Sequence, residues 1–495
     1  MQDTAWDRLL AGTAPDAALR ESLAERVAAL GRDLHHVVEE HARLQESLNS
    51  AGGAVADTAE SLTRLQVFHQ YMAVFVVAFL VALFATPLMR RMAVANGIVD
   101  RPSEARKQHR MPIAYLGGVA IYLGMLAGVA FSYFAPALGL DLIEFHVENP
   151  APMPIAILGA MTVIVVIGLV DDVWKIDPRL KIGGQLLTAA VLAFNDIGVK
   201  VAAGVLAPIG SIFGNERMVF DFTIPDGVPV LSGHYQFDAI YWAGTAIIAI
   251  FVLGACNASN LLDGLDGLLT GVTSIAMFGL LFIALSMAVL QDGPLDTARL
   301  VLILTALGAC LGFLPHNFNP ANIFLGDAGS MLLGFTTAAI ILSLGDTGKT
   351  HLVVAGLIIY AVPLIDTALA IVRRKMSGAS ISAADDQHLH HQLKRSLGVK
   401  GAVLTLYGIA AVFAALGVGM SLGRGRVIYA IALVLASFIG VTAFKVARRT
   451  KIEQEVAASE ARREARLRAV NGHRPAPAAP APAQAEGPTA TTGAR

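Results

Sequence analysis

The sequence predicts an all-α polytopic membrane protein, and three observations carry that prediction. Of 495 residues, 55% are hydrophobic and only 15% are charged, where a soluble chain carries about 25% charged residues. About eleven apolar stretches approach the roughly 20 residues needed to cross a bilayer. Lysine and arginine are dense in every second connection and sparse in the others, which is the pattern of a multi-pass chain.

The stretches fall at about 70–90, 113–136, 153–170, 180–197, 238–257, 267–290, 298–315, 329–345, 351–372, 401–422 and 426–446. The fourth is the weakest, because Lys181 and Gln185 shorten it and Asn195 and Asp196 close it. Tyr241 and Trp242 open the fifth as interface anchors. Connections after odd stretches carry Arg90, Arg91, Arg106 and Lys107, then Lys175, Arg179 and Lys181, then Arg373, Arg374, Lys375, Lys394 and Arg395, and finally Lys445, Arg448 and Arg449. Those after even stretches hold little beyond Lys200, Arg217, Arg299, Lys349, Arg424 and Arg426. The odd connections are therefore expected on the cytoplasmic side. Four acidic patches lie in them or at their edges: Asp171-Asp172, Asp263/Asp266, Asp327 and Asp385-Asp386. Hydropathy, basic bias and acid placement agree on one cytoplasmic active face.

Three regions flank or interrupt the spans. Residues 1–66 form a separate extension, where Leu19, Leu23, Val27, Leu30, Leu34 and Val38 recur at helical spacing. One or two amphipathic helices are expected, broken near Asn49–Gly53, either lying on a surface or packing on themselves, or else mediating self-association. No signal-peptide pattern is read there. Segment 198–237, with Met218–Pro225, predicts a small hairpin on the even side. The transmembrane domain is read as 67–449, and 450–495 as a charged helix followed by a Pro/Ala-rich disordered tail. The formal net charge of −1 points away from a nucleic-acid partner. Cys256 and Cys310 read as small buried hydrophobes, not a disulfide framework.

Carboxylates at membrane depth are costly and are functional candidates by default. Several of them at the mouths of several helices suggest a divalent cation and a phosphorylated substrate. Asp171-Asp172 closes the third span, where adjacent charges repel and acids oppose the helix dipole, so a cation or a proton-transfer role is expected. Asn257, Asn260 and Asp263 share one face at i, i+3 spacing, and the Asp263-Gly264 and Asp266-Gly267 pairs let the backbone turn toward a ligand. Asp327 opens the eighth span, where an acid also caps a helix favourably. Phe324 beside it either stacks on a base or anchors the loop. His388-Leu389-His390-His391 suggests zinc, but no second cysteine or histidine pair completes a tetrahedral set. Phosphate contact, together with neighbouring Arg373 and Arg374, is the reading preferred. Lys107 and His109 lie in a basic stretch that either guides a diphosphate or simply holds an inside loop.

Asp171-Asp172 after a span, Asn-x-x-Asn-x-x-Asp-Gly-x-Asp-Gly at 257–267, Phe-x-Gly-Asp-x-Gly-Ser at 324–330 and His-x-His-His at 388–391, in this order, resemble the polyprenyl-phosphate N-acetylhexosamine-1-phosphate transferases. The resemblance covers about residues 70–447. It implies a bacterial inner-membrane enzyme with its site facing the cytoplasm. Such an enzyme moves a sugar phosphate from a UDP-N-acetylhexosamine to undecaprenyl phosphate, releases UMP and requires Mg²⁺, with Mn²⁺ as a substitute. It further implies that Asp327 is the principal metal ligand. Asp171 would act as base or nucleophile, and Asp172 would support metal or phosphate. Asp263, Gly264, Asp266, Asn317 and Phe324 would form the nucleoside pocket, to which the shared helical face adds Asn257 and Asn260. Lys107, His109, Arg373, Arg374, His388, His390 and His391 would contact phosphates and sugar. A homodimer is the assembly to expect if the extension self-associates.

The His-x-His-His form and the span count favour the N-acetylglucosamine branch over the muramoyl-pentapeptide branch, which tends to carry three adjacent histidines. An ion-coupled transporter, the reading from another class, predicts acids inside spans and repeated halves; here the acids gather at one face and no repeat is visible. Asp386, Ile381, Ala114 and Tyr115 depart from the residues usual in the family and bear on which sugar is used.

Overall fold

A computed structural model describes residues 63–100, 112–138, 153–224, 233–290, 295–376, 388–423 and 425–471. The chain divides into two units, Met1–Gln66 and Val67–Arg495. Lys107, His109, Ile381, Asp385 and Asp386, the predicted extension up to residue 62 and the tail from 472 lie outside the described residues.

Among the described residues the second unit is built almost wholly of helices: α1 (Arg64–Ala95), α2 (Gly117–Phe134), α3 (Ile155–Trp174), α4 (Pro178–Phe194), α5 (Ala203–Ile212), α6 (Ala239–Leu262), α7 (Leu268–Val289), α8 (Asp296–Asn317), α9 (Gly326–Ser343), α10 (Thr350–Ile359), α11 (Ala361–Met376), α12 (Leu389–Ser421) and α13 (Gly425–Asn471). Nine of these are long and apolar enough to cross a membrane, and α10 with α11 meets the same test as a pair, bent by 78°. The weak fourth stretch is α4, a helix of only 17 residues. Each of the eleven predicted stretches thus falls on a helix. The bend has a cause in the sequence: the ring of Pro363 collides with the carbonyl four residues back, that of Ile359, where α10 ends.

Two small sheets complete the unit. Val99–Asp100 (β1) pairs antiparallel with Ile113–Ala114 (β2). Val219–Ile224 (β3) pairs antiparallel with Gly233–Asp238 (β4), the hairpin expected on the even side. The charged helix expected from 450 is not a separate element, because α13 runs without a break through the last span to Asn471.

The core is organised around α9, which packs against α2, α3, α6, α7 and α8. A helix apolar on all faces has to be surrounded, and every residue of α9 except Asp327 is buried. Glycines set how close its neighbours come. A Cβ on Gly118 of α2 would strike the backbone of Gly329, one on Gly168 of α3 would strike Ala328, and one on Gly334 of α9 would strike the backbone at Ala255 and Cys256 of α6. Small residues at crossings let membrane helices approach by backbone contact. Four helices therefore converge at the first turns of α9, with Asp171 and Asp172 one turn beyond Gly168.

Arg299 departs from its expected place in an even connection. It lies in the first turns of α8 with its side chain fully buried, at 2.5 Å from Asp296 and 3.1 Å from Asp346. It also donates to the Ser343 carbonyl at 2.8 Å. A charge within the protein needs such partners, and here they tie the start of α8 to the end of α9.

Candidate active site

The site is assembled where α3 ends and α9 begins. Asp172 turns its carboxylate onto the N-terminus of α9: Oδ1 accepts the Asp327 N–H at 2.8 Å and Oδ2 accepts the Ala328 N–H at 3.1 Å. The sequence placed this acid at an unfavourable helix C-terminus. The fold places it at a favourable N-terminus belonging to another helix, where N–H groups are otherwise unpaired. Gly326, at φ +73°, permits the turn, and a Cβ there would collide with the Asp172 carboxylate.

Asp171 faces the other way. Its Oδ1 accepts the Ile176 N–H at 3.0 Å, and its Oδ2 lies 3.3 Å from the Lys181 ammonium. Lys181 also binds Asp327 Oδ2, so one cation joins the two carboxylates. The local sequence puts it there. Asp177 caps α4 by accepting the Arg179 N–H at 2.7 Å, and Pro178 occupies the first turn. The short connection from α3 then turns the first turn of α4 back toward Asp171. The remaining oxygen of Asp327 accepts from Asn260 Nδ2 at 2.8 Å.

A cavity of about 270 Å³ opens beside Asp327, lined by Tyr115, Asp263–Asp266, Asn317 and Phe324–Asp327. Its two loops are pinned by backbone and amide contacts. Gly267, at φ +77°, donates its N–H to Asn317 Oδ1 at 3.1 Å and accepts the Tyr407 hydroxyl at 2.6 Å. Asn317 Nδ2 donates to the Ile323 carbonyl at 3.0 Å. Asp266 Oδ2 accepts from Asn319 Nδ2 at 2.8 Å and from the Ala321 N–H at 3.0 Å. On the opposite wall the Phe324 N–H reaches the Ala114 carbonyl at 2.8 Å, and the Gly118 N–H reaches the Leu325 carbonyl at 2.8 Å. Phe324 and Tyr115 face each other with ring centroids 6.0 Å apart.

The cavity is electronegative. The half-buried Asp263 carboxyl is pushed well above its usual range, first by loss of water and then by the charges of Asp327, Asp172 and Asp266. Burial and the charges of Asp100, Asp172, Asp327 and Asp263 raise the Tyr115 hydroxyl as well. Such a field favours a cation. Among the described residues no three His, Cys, Asp or Glu side chains are gathered to hold a metal ion unaided. A magnesium ion keeps several waters and takes one or two carboxylates together with substrate phosphates. Asp327, which lines the cavity, and Asp171, joined to it through Lys181, are two oxygen donors that fit that requirement.

The histidines come from the start of α12. His388 Nδ1 is 3.0 Å from Asp366 Oδ2, the Leu389 N–H donates to Asp366 Oδ1 at 2.7 Å, and His390 Nδ1 lies 3.6 Å from the same carboxylate. The rings of His388 and His390 stack at 5.5 Å, and His391 lies 4.2 Å from His390. His390 Nε2 reaches Gly264, where a Cβ would strike it. The cluster therefore borders the Asp263–Asp266 loop. Arg373 and Arg374 close α11, about two turns beyond Asp366.

The fold thus brings together Asp171, Asp172, Asp327, Asp263, Gly264, Asp266, Asn317, Phe324 and His390. It separates Asn257 and Asn260 from the predicted nucleoside set. The helical twist of α6 turns Asn257 toward Gln185 Oε1 of α4, at 2.9 Å, and Asn260 toward Asp327, and neither lines the cavity. Three contributors are not among the site residues that the sequence predicts. Lys181 was legible as a basic residue one turn into a span and ten residues past an acid pair. Asp366 was legible as a lone acid inside an apolar stretch. Tyr115 stands out in the sequence only as a departure from the residues usual in the family it resembles.

The sequence model described as glycosyl transferase family 4 matches residues 154–345. The chain is 32% identical over 341 residues to a probable undecaprenyl-phosphate N-acetylglucosaminyl 1-phosphate transferase of Bacillus subtilis, covering 68% of this chain and 82% of that one. It is 35% identical over 395 residues to a decaprenyl-phosphate N-acetylglucosaminephosphotransferase of Mycolicibacterium smegmatis, covering 75% and 87%. An undecaprenyl-phosphate alpha-N-acetylglucosaminyl 1-phosphate transferase of Escherichia coli is 30% identical over 337 residues, covering 66% and 78%. With coverage of this extent running through the acid cluster and the cavity loops, the chain belongs to glycosyl transferase family 4, as a multi-pass membrane transferase of the polyprenyl-phosphate N-acetylhexosamine-1-phosphate branch.

Proposed function

We propose that the protein transfers N-acetylglucosamine 1-phosphate from UDP-N-acetylglucosamine to undecaprenyl phosphate, releasing UMP and leaving the lipid diphosphate sugar from which envelope polysaccharide is built. The observation that carries this reading is the acid pair Asp171 and Asp327, joined by Lys181 at the edge of a nucleobase-sized cavity. The relatives' names supply the acceptor and the sugar.

The residues divide the work as follows. Phe324 and the Asp263–Asp266 loop receive the uridine, with Tyr115 closing the far wall. His388, His390 and His391, with Arg373 and Arg374 at the end of α11, neutralise the diphosphate, and Asp366 orients the first two imidazoles. Lys107 and His109 are assigned to the same phosphates from their place in the sequence. Mg²⁺, when bound at Asp171 and Asp327, supplies charge neutralisation for the diphosphate. Asp171 takes the proton of the acceptor phosphate. An acceptor oxygen then attacks the β-phosphorus of the UDP-sugar, the bond from that phosphorus to the bridging oxygen breaks, and UMP departs with the oxygen. Positioning and charge stabilisation dominate phosphoryl transfer, which suits a site made of held carboxylates, an ammonium and imidazoles. Asp172 serves by fixing the first turn of α9, and so the place of Asp327.

The basic odd connections support an inner-membrane orientation with this site in the cytoplasm. The helical spacing of residues 1–66 supports a homodimer formed through that extension. UMP release by the purified protein with undecaprenyl phosphate, Mg²⁺ and a panel of UDP-sugars tests the reading. Release with UDP-N-acetylglucosamine is expected. Release only with UDP-N-acetylmuramoyl-pentapeptide would overturn the sugar assignment, and no release by folded protein across the panel would overturn the reaction.

A further inference from the structure

A second cavity lies far from the acids. The bend at Tyr360 splays α10 from α11, and with α12 and α13 it leaves a cleft of about 810 Å³. Its walls are almost wholly apolar, with Leu357, Leu364, Phe413 and Leu433 among them. At one end stand His351, in the first turn of α10, and Arg426, in the first turn of α13, and among the described residues no acid lines the cleft. An adjoining cavity of about 860 Å³ opens at the same two residues. Both side chains are exposed, and neither makes a hydrogen bond or ion pair with another described residue.

This end is opposite the active site. α9 runs from Gly326 to Ser343, a length of about 27 Å, before the chain turns into α10. From the His388–His391 cluster α12 breaks at Gly398 (φ +71°) and then runs on to Ser421, just before Arg426. His351 and Arg426 therefore lie at the membrane face away from Asp171 and Asp327, among the sparse basic residues of the even connections.

The geometry points to a binding site for an anionic glycerophospholipid of the leaflet opposite the active site. Its acyl chains would lie in the cleft and its phosphate would meet Arg426 and His351. Charge complementarity selects the occupant. A guanidinium and an imidazole at the mouth of a hydrocarbon-walled cleft match a lipid phosphate above acyl chains, and an apolar helix from a second copy would leave Arg426 unpaired at a membrane edge. The site is independent of the proposed reaction and contains none of its residues.

The test uses the full chain in phosphatidylcholine vesicles, with photoreactive phosphatidylglycerol or phosphatidylcholine carrying a diazirine in the acyl chain, and mapping of the labelled peptides. Phosphatidylglycerol is expected to label the peptides around Leu364 and Leu433 about five-fold more than phosphatidylcholine, the discrimination that about one surface cation supplies. Arg426→Gln combined with His351→Gln should lower that labelling to the phosphatidylcholine level, whereas Arg426→Lys should keep it. Leu433→Trp, which narrows the cleft and leaves the mouth intact, should lower it. UMP release unchanged from the parent protein reports that each variant is folded. Equal labelling by the two lipids, or labelling unaffected by Arg426→Gln with His351→Gln, would overturn the proposal. So would labelling that emerges only after removal of residues 1–62, or a Leu433→Trp variant that loses a dimer without losing label.

Discussion

The carboxylate of Asp172 accepts the backbone N–H of Ala328 at 3.1 Å, and that of Asp327 with its other oxygen. An acid on one helix thus acts as the cap of another, and it holds a second acid in place. Asp172→Ala removes a cap and a favourable charge at a helix N-terminus, so a stability loss of about 1 kcal/mol is expected. Turnover should fall further than stability does, because the first turn of α9 positions Asp327. Asp172→Asn retains one acceptor oxygen and should recover most of the thermal stability in detergent. A fully active Asp172→Ala variant would sink the positioning role.

Asp327 is the residue of α9 that is not buried, and it faces both Lys181 and the cavity. Asp327→Ala should lower UMP release by about three orders of magnitude, the scale on which lost charge stabilisation is felt in phosphoryl transfer. The melting temperature should hold, because the α9 packing surface is untouched. Measuring Mg²⁺ dependence in Asp327→Asn separates the two jobs of the side chain. A raised Mg²⁺ requirement supports metal contact, and an unchanged one assigns Asp327 to Lys181 alone.

Each of the eleven predicted stretches falls on helix because the bilayer demands apolar length and little else. The cavity loops were legible because Asp263, Gly264, Asp266 and Phe324 stand in a dense local motif. Asn257 and Asn260 mark where the local pattern stops being informative. Spacing of three residues fixes a helix face, but which neighbour that face meets is decided by the Gly334 contact between α6 and α9. Lys181 and Asp366 were missed because their partners lie far along the chain. Lys181 meets Asp327 across 146 residues, and Asp366 meets His388 across 22. The pairing of Asp172 with the N-terminus of α9 spans 155 residues and has no local signature at all.

Asp366 holds His388 through one oxygen and the first N–H of α12 through the other. Orienting partners of this kind typically influence activity by about 10- to 100-fold. Asp366→Ala should lower kcat on that scale, with His390 no longer aimed at Gly264. Asp366→Asn keeps an oxygen for the Leu389 N–H and should recover part of the loss. A merely structural role would instead show both variants losing thermal stability with kcat preserved in the folded fraction.

Arg299 is fully buried between two carboxylates. Removing it takes the guanidinium away from two buried carboxylates, Asp296 and Asp346, and breaking such a network costs about 3–5 kcal/mol. The deficit should depend on pH. Burial already holds the Asp346 carboxyl above its usual range, with Arg299 opposing the shift; in Arg299→Met that opposition is gone and the carboxyl rises further. An acid whose folded pKa is raised binds its proton more tightly in the native state, so its contribution to stability is fully present below the unfolded value near 4. That contribution is lost as pH rises through the folded value. Thermal unfolding in detergent should therefore show Arg299→Met falling progressively behind the parent protein as pH is raised from about 5 toward 8. A deficit that stays constant over this range would mean that the lost packing of the guanidinium, and not the stranded carboxylates, sets its cost.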